Sequence, residues 1–324
     1  MNAIGATATI IDVDFGKNVL KKIELVGRTC YKSEDKITDD SAEKFVSNLI
    51  KSGHEAMLEH ASFCFEVDLI LYKRTQDVIN WLEEEMNFTS FLRFTHDGRY
   101  IISGNVRAWR SFFAAVIKLL EKLPYVFKSF IKDYPVLFPE FQKVKFNGKT
   151  KDSFMKPLSI CDLKTENEFL THCDITVKFI VDRGVSHELV RHRVASFAQE
   201  STRYCNYGKD KFGGQLTFII PLYLDYKSAG WNVWKETMEK CEKSYFDLLN
   251  IGLTPQEARA VLPNSIKTEL MMTANAAEWI HFFELRACNK TGKAHPQMLE
   301  VTRPLLDEFK ETINIIFDGL TYGE

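Results

Sequence analysis

Apolar positions along this chain switch between a period of two and a period of three to four, and the switches mark its elements. Residues 6–14 (Ala-Thr-Ala-Thr-Ile-Ile-Asp-Val-Asp) alternate imperfectly and predict a strand. Helical spacing follows over roughly 17–30 and 41–52, the second helix opened by Asp40 or Ser41 as a cap. Ser62 to Leu71 is rich in β-formers and predicts a long strand. Asn105 is placed to cap a helix whose apolar face is Val106, Trp109, Phe112, Phe113, Val116, Leu119 and Leu120. Ile175 to Asp182 alternates again, Gly184 opens a short helical segment, and Leu216 to Pro221 predicts another strand. Thr254-Pro255-Gln256-Glu257 has the order of a helix start, with a threonine cap, a proline in the first turn and a glutamate able to reach back. Pro263 is expected to end that helix. A strand over 265–273 and helices over 276–288 and 295–317 complete the chain. Region 74–165 is the least strand-like and reads as a helical elaboration. No repeat, low-complexity tract or linker marks a boundary, so 1–324 reads as a single domain.

Composition narrows the class. With 45% hydrophobic and 27% charged residues the chain resembles soluble globular proteins, and 324 residues suffice to bury a core. A net charge of −2 argues against general attraction to nucleic acid or membrane surfaces, so a basic site must be local. The longest apolar runs are too short to cross a bilayer, and the first residues lack the features of a secretion signal, so a cytoplasmic location is expected. Seven irregularly spaced cysteines, with no Cys-x-x-Cys pair, disfavour a disulfide framework and a thiolate zinc site alike.

The densest chemistry lies between Arg191 and Tyr204: three arginines, His192 and four hydroxyls, with no lysine. Arginine presents a planar fork of donors that matches phosphate oxygens in pairs, whereas lysine is a point charge. A plain reading makes these arginines a solvated face or pairs them with Glu188 and Glu200. Apolar neighbours Val190, Val194, Ala195 and Phe197 favour a partly buried site, whose guanidiniums need anionic partners. His192, between Arg191 and Arg193, is expected to be neutral at pH 7 if those guanidiniums are near its ring. A second concentration is Gly53-His54-Glu55-Ala56-Met57-Leu58-Glu59-His60. Its histidines are six apart, and those at 187 and 192 are five apart. A five-residue step on a helix misses a shared face by roughly 140°, so no metal site is expected. Glu257 to Pro263 and Asn275 to Arg286 supply two further arginines, Arg259 and Arg286. The eleven-residue step from Asn275 to Arg286 is close to three helical turns, which puts both ends on one face.

The order Arg-His-Arg, seven residues, then Ser at 191–201, with Gly-His-x4-Glu-His at 53–60 and the two later arginine segments, resembles the flavin-dependent thymidylate synthases. The resemblance spans about residues 53 to 290. It implies an α/β (α+β) fold with a largely antiparallel central sheet flanked by helices, here with an enlarged, mostly helical middle. It implies homotetramers with active sites between subunits. It also implies FAD as cofactor and conversion of dUMP to dTMP with methylenetetrahydrofolate as carbon donor and NADPH as reductant. Carried over by position, His54, Ala56, Arg191, His192, Arg193, Gln199, Asn275, Ala277 and His281 should border FAD. Glu188, Arg191, Gln199, Glu200, Ser201, Thr202, Arg203, Arg259 and Arg286 should hold dUMP. Arg286 is the catalytic candidate, because a fixed cation lowers the cost of negative charge on the uracil ring.

The chain departs from the family pattern at several of these positions. It has Glu188 where an amide is expected and Gln199 where many members have Glu. Ala56 replaces a hydroxyl residue, Ala277 an arginine and His281 an asparagine. Ser201 has no evident base beside it and reads as a hydrogen-bonding group, and Cys205 lacks the surroundings of the cysteine nucleophile used by folate-only thymidylate synthases. Two other readings stay open: a FAD- and nucleotide-binding reductase with a different substrate, and a non-catalytic nucleotide- or RNA-binding protein. The second lacks a basic stripe with interleaved aromatics.

Overall fold

Ile175, Val177, Phe179 and Val181 point to one side of a strand and are fully buried, and their alternation sets the centre of the molecule. The computed structural model describes residues 1–13, 18–86, 92–147, 154–209, 212–313 and 315–323. The chain begins with β1 (Asn2–Ile4), β2 (Thr7–Asp12), α1 (Val19–Tyr31) and α2 (Ser41–Lys51). A 3-10 turn over Glu55–His60 leads into β3 (Ser62–Val67), α3 (Leu69–Met86), β4 (Arg93–His96) and β5 (Tyr100–Asn105). Next come α4 (Val106–Leu120), β6 (Leu123–Pro124), α5 (Lys128–Asp133), β7 (Phe146–Asn147), β8 (Met155–Pro157) and α6 (Glu166–His172). The remainder is β9 (Asp174–Asp182), α7 (Arg183–Leu189), β10 (Ser196–Gln199), β11 (Thr217–Ile219), α8 (Ala229–Asn250), α9 (Pro255–Ala258), β12 (Lys267–Asn275), α10 (Ala276–Arg286) and α11 (Pro296–Thr312).

The fold is mixed α/β with antiparallel sheets, as expected. One four-stranded sheet runs β10-β12-β9-β2, every pair antiparallel. In its long central pairing Leu270 faces Phe179, Met272 faces Val177 and Ala274 faces Ile175. These side chains meet Trp279, Phe282 and Phe283 of α10 and Leu305, Leu306 and Phe309 of α11 in one apolar core. The other face of the same strands is polar and carries Thr176, Lys178, Glu269 and Thr273. Thr176 and Thr273 share a hydrogen bond of 2.8 Å, and His60 Nδ1 lies 2.8 Å from the Thr273 hydroxyl. Burial, aided by Lys22, holds the His60 imidazole down to about 3.

A second four-stranded antiparallel sheet, β4-β5-β3-β8, was not expected. It packs on α4 through a dense aromatic core that includes Phe63, Phe65, Trp109, Phe113, Phe127 and Phe130. The expected strand over 62–71 therefore ends at Val67. The Asp68 carboxylate accepts the Leu71 amide at 2.8 Å and starts α3 instead. Region 74–165 is mostly helical in its regular structure, yet it also contributes β4, β5 and β8 to this sheet. Buried polar groups join the two sheets. Arg93 makes two bonds to Asp174 at 2.6 and 2.7 Å, and Ser62 donates to the same carboxylate. His172 sits between the hydroxyls of Thr95 (2.8 Å) and Ser103 (2.7 Å).

Asn105 caps α4 as expected, its side chain accepting the Ala108 amide at 2.8 Å. The Thr254–Glu257 capping box also forms, but α9 tightens to a 3-10 turn at Arg259–Val261, short of Pro263. Neither side chain proposed as the cap of α2 accepts a hydrogen bond from the helix's first turn: Asp40 makes no cap bond, and Ser41 Oγ instead accepts the Thr38 amide at 2.9 Å. Positions 14, 17 and 314 of the expected elements lie outside the described residues, as do 87–91 and 148–153 of the middle region. Among the described residues no helix is long and apolar enough to cross a membrane.

Candidate active site

The Arg-His-Arg segment is the turn between α7 and β10. Asp182 caps α7 by accepting the Val185 amide at 2.7 Å, and the helix ends at Leu189. The ensuing turn buries His192 and leaves Arg191 and Arg193 exposed on either side. Val194, at the tip, is 74% exposed.

His192 meets the C-terminal end of α10. Arg286 Nε donates to His192 Nε2 at 3.2 Å, and Arg286 Nη1 lies 3.2 Å from the Glu188 carboxylate. Because Nε2 accepts, the imidazole proton belongs on Nδ1, which faces Glu278 at 3.6 Å. The rings of Phe282 and His281 stand edge-on at 4.9 and 6.2 Å. Burial first, then the Arg286 guanidinium and His281, pushes His192 down to about 4. The neutral state is as expected, but its charged neighbour is Arg286 from the far end of the chain rather than Arg191 or Arg193. Glu188, the departure from the expected amide, is the partner of Arg286.

A second group forms where β10 leaves the sheet. The Ser201 amide donates to the Cys30 carbonyl at 3.0 Å, and Ser201 Oγ accepts the Arg203 amide at 3.3 Å. Arg259 donates to the Thr202 hydroxyl at 3.4 Å. The Arg203 guanidinium lies 5.6 Å from the centre of the Tyr204 ring. Tyr204 in turn touches Tyr31 edge-on at 5.9 Å, and the Tyr31 hydroxyl is 3.0 Å from His54 Nδ1. Tyr31 thus ties the His54 segment to the Ser201 turn. Ala56, Arg203 and Arg259 are exposed. No hydrogen bond, ion pair or ring contact among the described residues joins this second group to the Arg286 group.

Other expected site residues are engaged in the scaffold. Glu200 is 2% exposed, accepts from Lys267 at 2.8 Å and from the Tyr207 hydroxyl at 2.9 Å, and so anchors the turn from beneath. Gln199 donates to Ser186 (2.9 Å) and Thr268 (3.1 Å), holding β10 against α7 and β12. Asn275 caps α10 by accepting the Glu278 amide at 2.9 Å. Ala277 and His281 are exposed one turn apart on α10. Cys205 is 1% exposed, and no histidine or carboxylate among the described residues bonds to Ser201 Oγ.

Sequence reasoning missed the support beneath the turn. Glu269 on β12 receives Lys32 (2.7 Å), Lys178 (2.5 Å) and Lys267 (2.8 Å). Burial raises the Glu269 carboxyl, but the three ammonium groups outweigh it and hold the group well below its usual range. Lys267-x-Glu269 within a strand was the available signal, because alternate residues share a face. The plain pairing of Arg191, Arg193 and Arg203 with Glu188 and Glu200 does not occur. Both carboxylates have other partners, and among the described residues these arginines have no ion pair.

Such an arrangement suits an anionic ligand with a planar part: exposed, unpaired guanidiniums beside a neutral imidazole. A family described as Thy1: Thymidylate synthase complementing protein matches residues 11–75 and 153–313, and the chain belongs to that family. It is 37% identical to the flavin-dependent thymidylate synthase of Geobacter sulfurreducens over 110 residues, 34% of this chain and 46% of that protein. It is 33% identical to the enzyme of that name from Pyrococcus furiosus over 133 residues, 41% of this chain and 52% of that protein. The chain spans about half the length of the curated relatives it matches. Among solved structures it is similar to the UMP/dUMP methylase PolB from Streptomyces cacaoi bound with 5-Br dUMP. That match has 15% identity and a TM-score of 0.42, over 98% of this chain and 96% of that one.

Proposed function

We propose that this protein is a flavin-dependent thymidylate synthase that converts dUMP to dTMP, with FAD as cofactor and NADPH and methylenetetrahydrofolate as co-substrates. The observation that carries the proposal is the pairing of Arg286 with a neutral His192 in a chain of the Thy1 family. Arg203, Arg259, Thr202 and Ser201 converge on one turn and supply the donors for the dUMP phosphate and ribose. Arg191 and Arg193 border FAD with His192, and their unpaired guanidiniums fit its phosphates. His54 and Ala56 lie on the flavin side with Asn275, Ala277 and His281.

FAD, when bound, carries hydride from NADPH to the transferred carbon. The protein's share is charge and position. Uracil must become nucleophilic at carbon 5, and Arg286 at the ring stabilises the negative charge this develops. Glu188 and His192 hold that guanidinium from two sides. With neither an activating base at Ser201 nor exposure at Cys205, no protein nucleophile is assigned.

Among the described residues the expected residues fall into two groups with no direct contact, and Arg191, Arg193 and Arg203 have no ion pair there. A homotetramer in which one copy's Arg286 group faces another's Ser201 turn would complete the site. The test is a visible spectrum of the purified protein, then anaerobic NADPH with and without dUMP, then labelled methylenetetrahydrofolate. Flavin that bleaches, with label appearing in dTMP, is the expected result. Reduced flavin without label transfer would favour a reductase with another substrate. A protein that cannot be loaded with FAD would sink the proposal.

A further inference from the structure

Helices α3 and α4 and the segment from Pro124 to Asp133 enclose a cavity of about 1090 Å³. One wall is a stripe of α3 formed by Leu71, Thr75 and Val78; the other is a stripe of α4 formed by Phe112, Val116 and Leu120. These three- and four-residue steps put each set on one helix face. The Thy1 match stops at residue 75 and resumes at 153, so α4 and the Pro124–Asp133 segment lie outside it. The volume is that of a small-molecule site and is unrelated to the arginine turn.

The lining chemistry defines the ligand. Among the described lining residues there are three cations (Arg74, Lys128 and Lys132) and two carboxylates (Asp77 and Asp133), so three minus two leaves one positive charge. Lys132 donates to the Gln142 carbonyl, and Asp133 accepts from the Ser129 hydroxyl at 2.8 Å. The Lys128 ammonium lies 4.9 Å from the centre of the Tyr125 ring, and neither it nor Arg74 has an ion pair among the described residues. No buried, unpartnered polar side chain among the described residues lines the interior. A heterocycle that needs hydrogen bonds at its edges would find few there, whereas an aliphatic chain loses nothing.

We propose that this cavity binds an amphipathic monoanion, an aliphatic chain ending in a single carboxylate, with the chain between α3 and α4 and the carboxylate toward Arg74 and Lys128. The site does not depend on the nucleotide reading.

Dodecanoate is the probe, titrated calorimetrically into the full-length protein beside neutral dodecanol. The expected result is saturable binding of one dodecanoate per chain. Val116→Trp, which fills the space, should weaken it by about tenfold or more. Arg74→Gln combined with Lys128→Gln should weaken dodecanoate by about tenfold and leave dodecanol little changed. Should Val116→Trp fail to fold, Leu120→Trp, at a position 45% exposed in the same stripe, makes the same test. Absence of saturable dodecanoate binding to the unmodified protein would overturn the proposal. So would undiminished binding in the folded tryptophan variants, or dodecanol binding as tightly as dodecanoate.

Discussion

The Nε–H of Arg286 donates to Nε2 of His192 across 3.2 Å, although the two residues are 94 apart in the chain. The bond aims the guanidinium and, after burial, which is the larger cause, helps to keep the imidazole neutral. If Arg286 stabilises charge on the uracil ring, its loss should act on the reaction rather than on binding. We expect Arg286→Ala to lower kcat by roughly 100-fold or more, with the dUMP Kd changed by less than about tenfold. Equal losses in both would remove ring activation from its role.

Arg203 is exposed beside Ser201 and Thr202, where a phosphate would meet several donors at once. Removing one charged hydrogen bond costs about 1.5–3 kcal/mol. Arg203→Ala should therefore weaken dUMP roughly 10- to 150-fold and FAD much less. Separate titrations of the two ligands check this, and an unchanged dUMP affinity takes Arg203 out of the site.

Cys205 is buried beneath the same turn, away from any ligand approaching the arginines. Cys205→Ala should keep its methyl-transfer activity within about threefold, since it removes only a small buried group. A folded, flavin-loaded variant without turnover would restore the cysteine as a nucleophile.

How much of this was legible depended on distance along the chain. Asn105 and Thr254 were found because caps act within four residues, and β9 and β12 because their apolar positions recur every second residue. The Asp97-Gly98 pair, with Gly98 at φ +79°, is a hairpin turn between β4 and β5, and its dipeptide was a readable sign of the second sheet. Helix α8 escaped notice because it buries little beyond Met238 and Tyr245 and so shows only a weak apolar face. The arginine turn was legible as a cluster. What holds it was not: Arg286 reaches His192 from α10, and Glu200 and Glu269 draw on lysines from three other stretches of chain. Local pattern carries no information about which distant charge will arrive.

A two-pronged ion pair between half-buried Arg93 and buried Asp174 joins the two sheets. Burial raises the Asp174 carboxyl, but Arg93 and the Ser62 hydroxyl more than reverse this and leave it below its usual range. Removing one partner strands the other charge, so Arg93→Ala should destabilise the fold by about 3–5 kcal/mol. Arg93→Met with Asp174→Leu should recover much of that loss, because both charges are then gone. Denaturant midpoints of the single and double variants decide it, and a double variant no more stable than the single would refute the account.

Three buried histidines give the protein a built-in acid sensitivity. His60 and His172 are each held down to about 3, mainly by burial, with Lys22 and Arg93 respectively adding to it; His192 is held to about 4. An unfolded histidine titrates near 6.5. Between that value and the folded ones the unfolded chain takes up protons that the folded chain refuses, so stability is fully present above about pH 6.5 and is lost as pH falls through the folded pKa. At pH 5 the loss is on the order of 2 kcal/mol for each of His60 and His172. His172→Gln removes one titrating group from between Thr95 and Ser103. The variant should be less stable at pH 7.5, yet lose about 2 kcal/mol less than the unmodified protein on going from pH 7.5 to pH 5. Chemical denaturation at the two pH values measures that difference directly, and an unchanged pH dependence would mean that His172 takes up its proton alike in the folded and the unfolded protein.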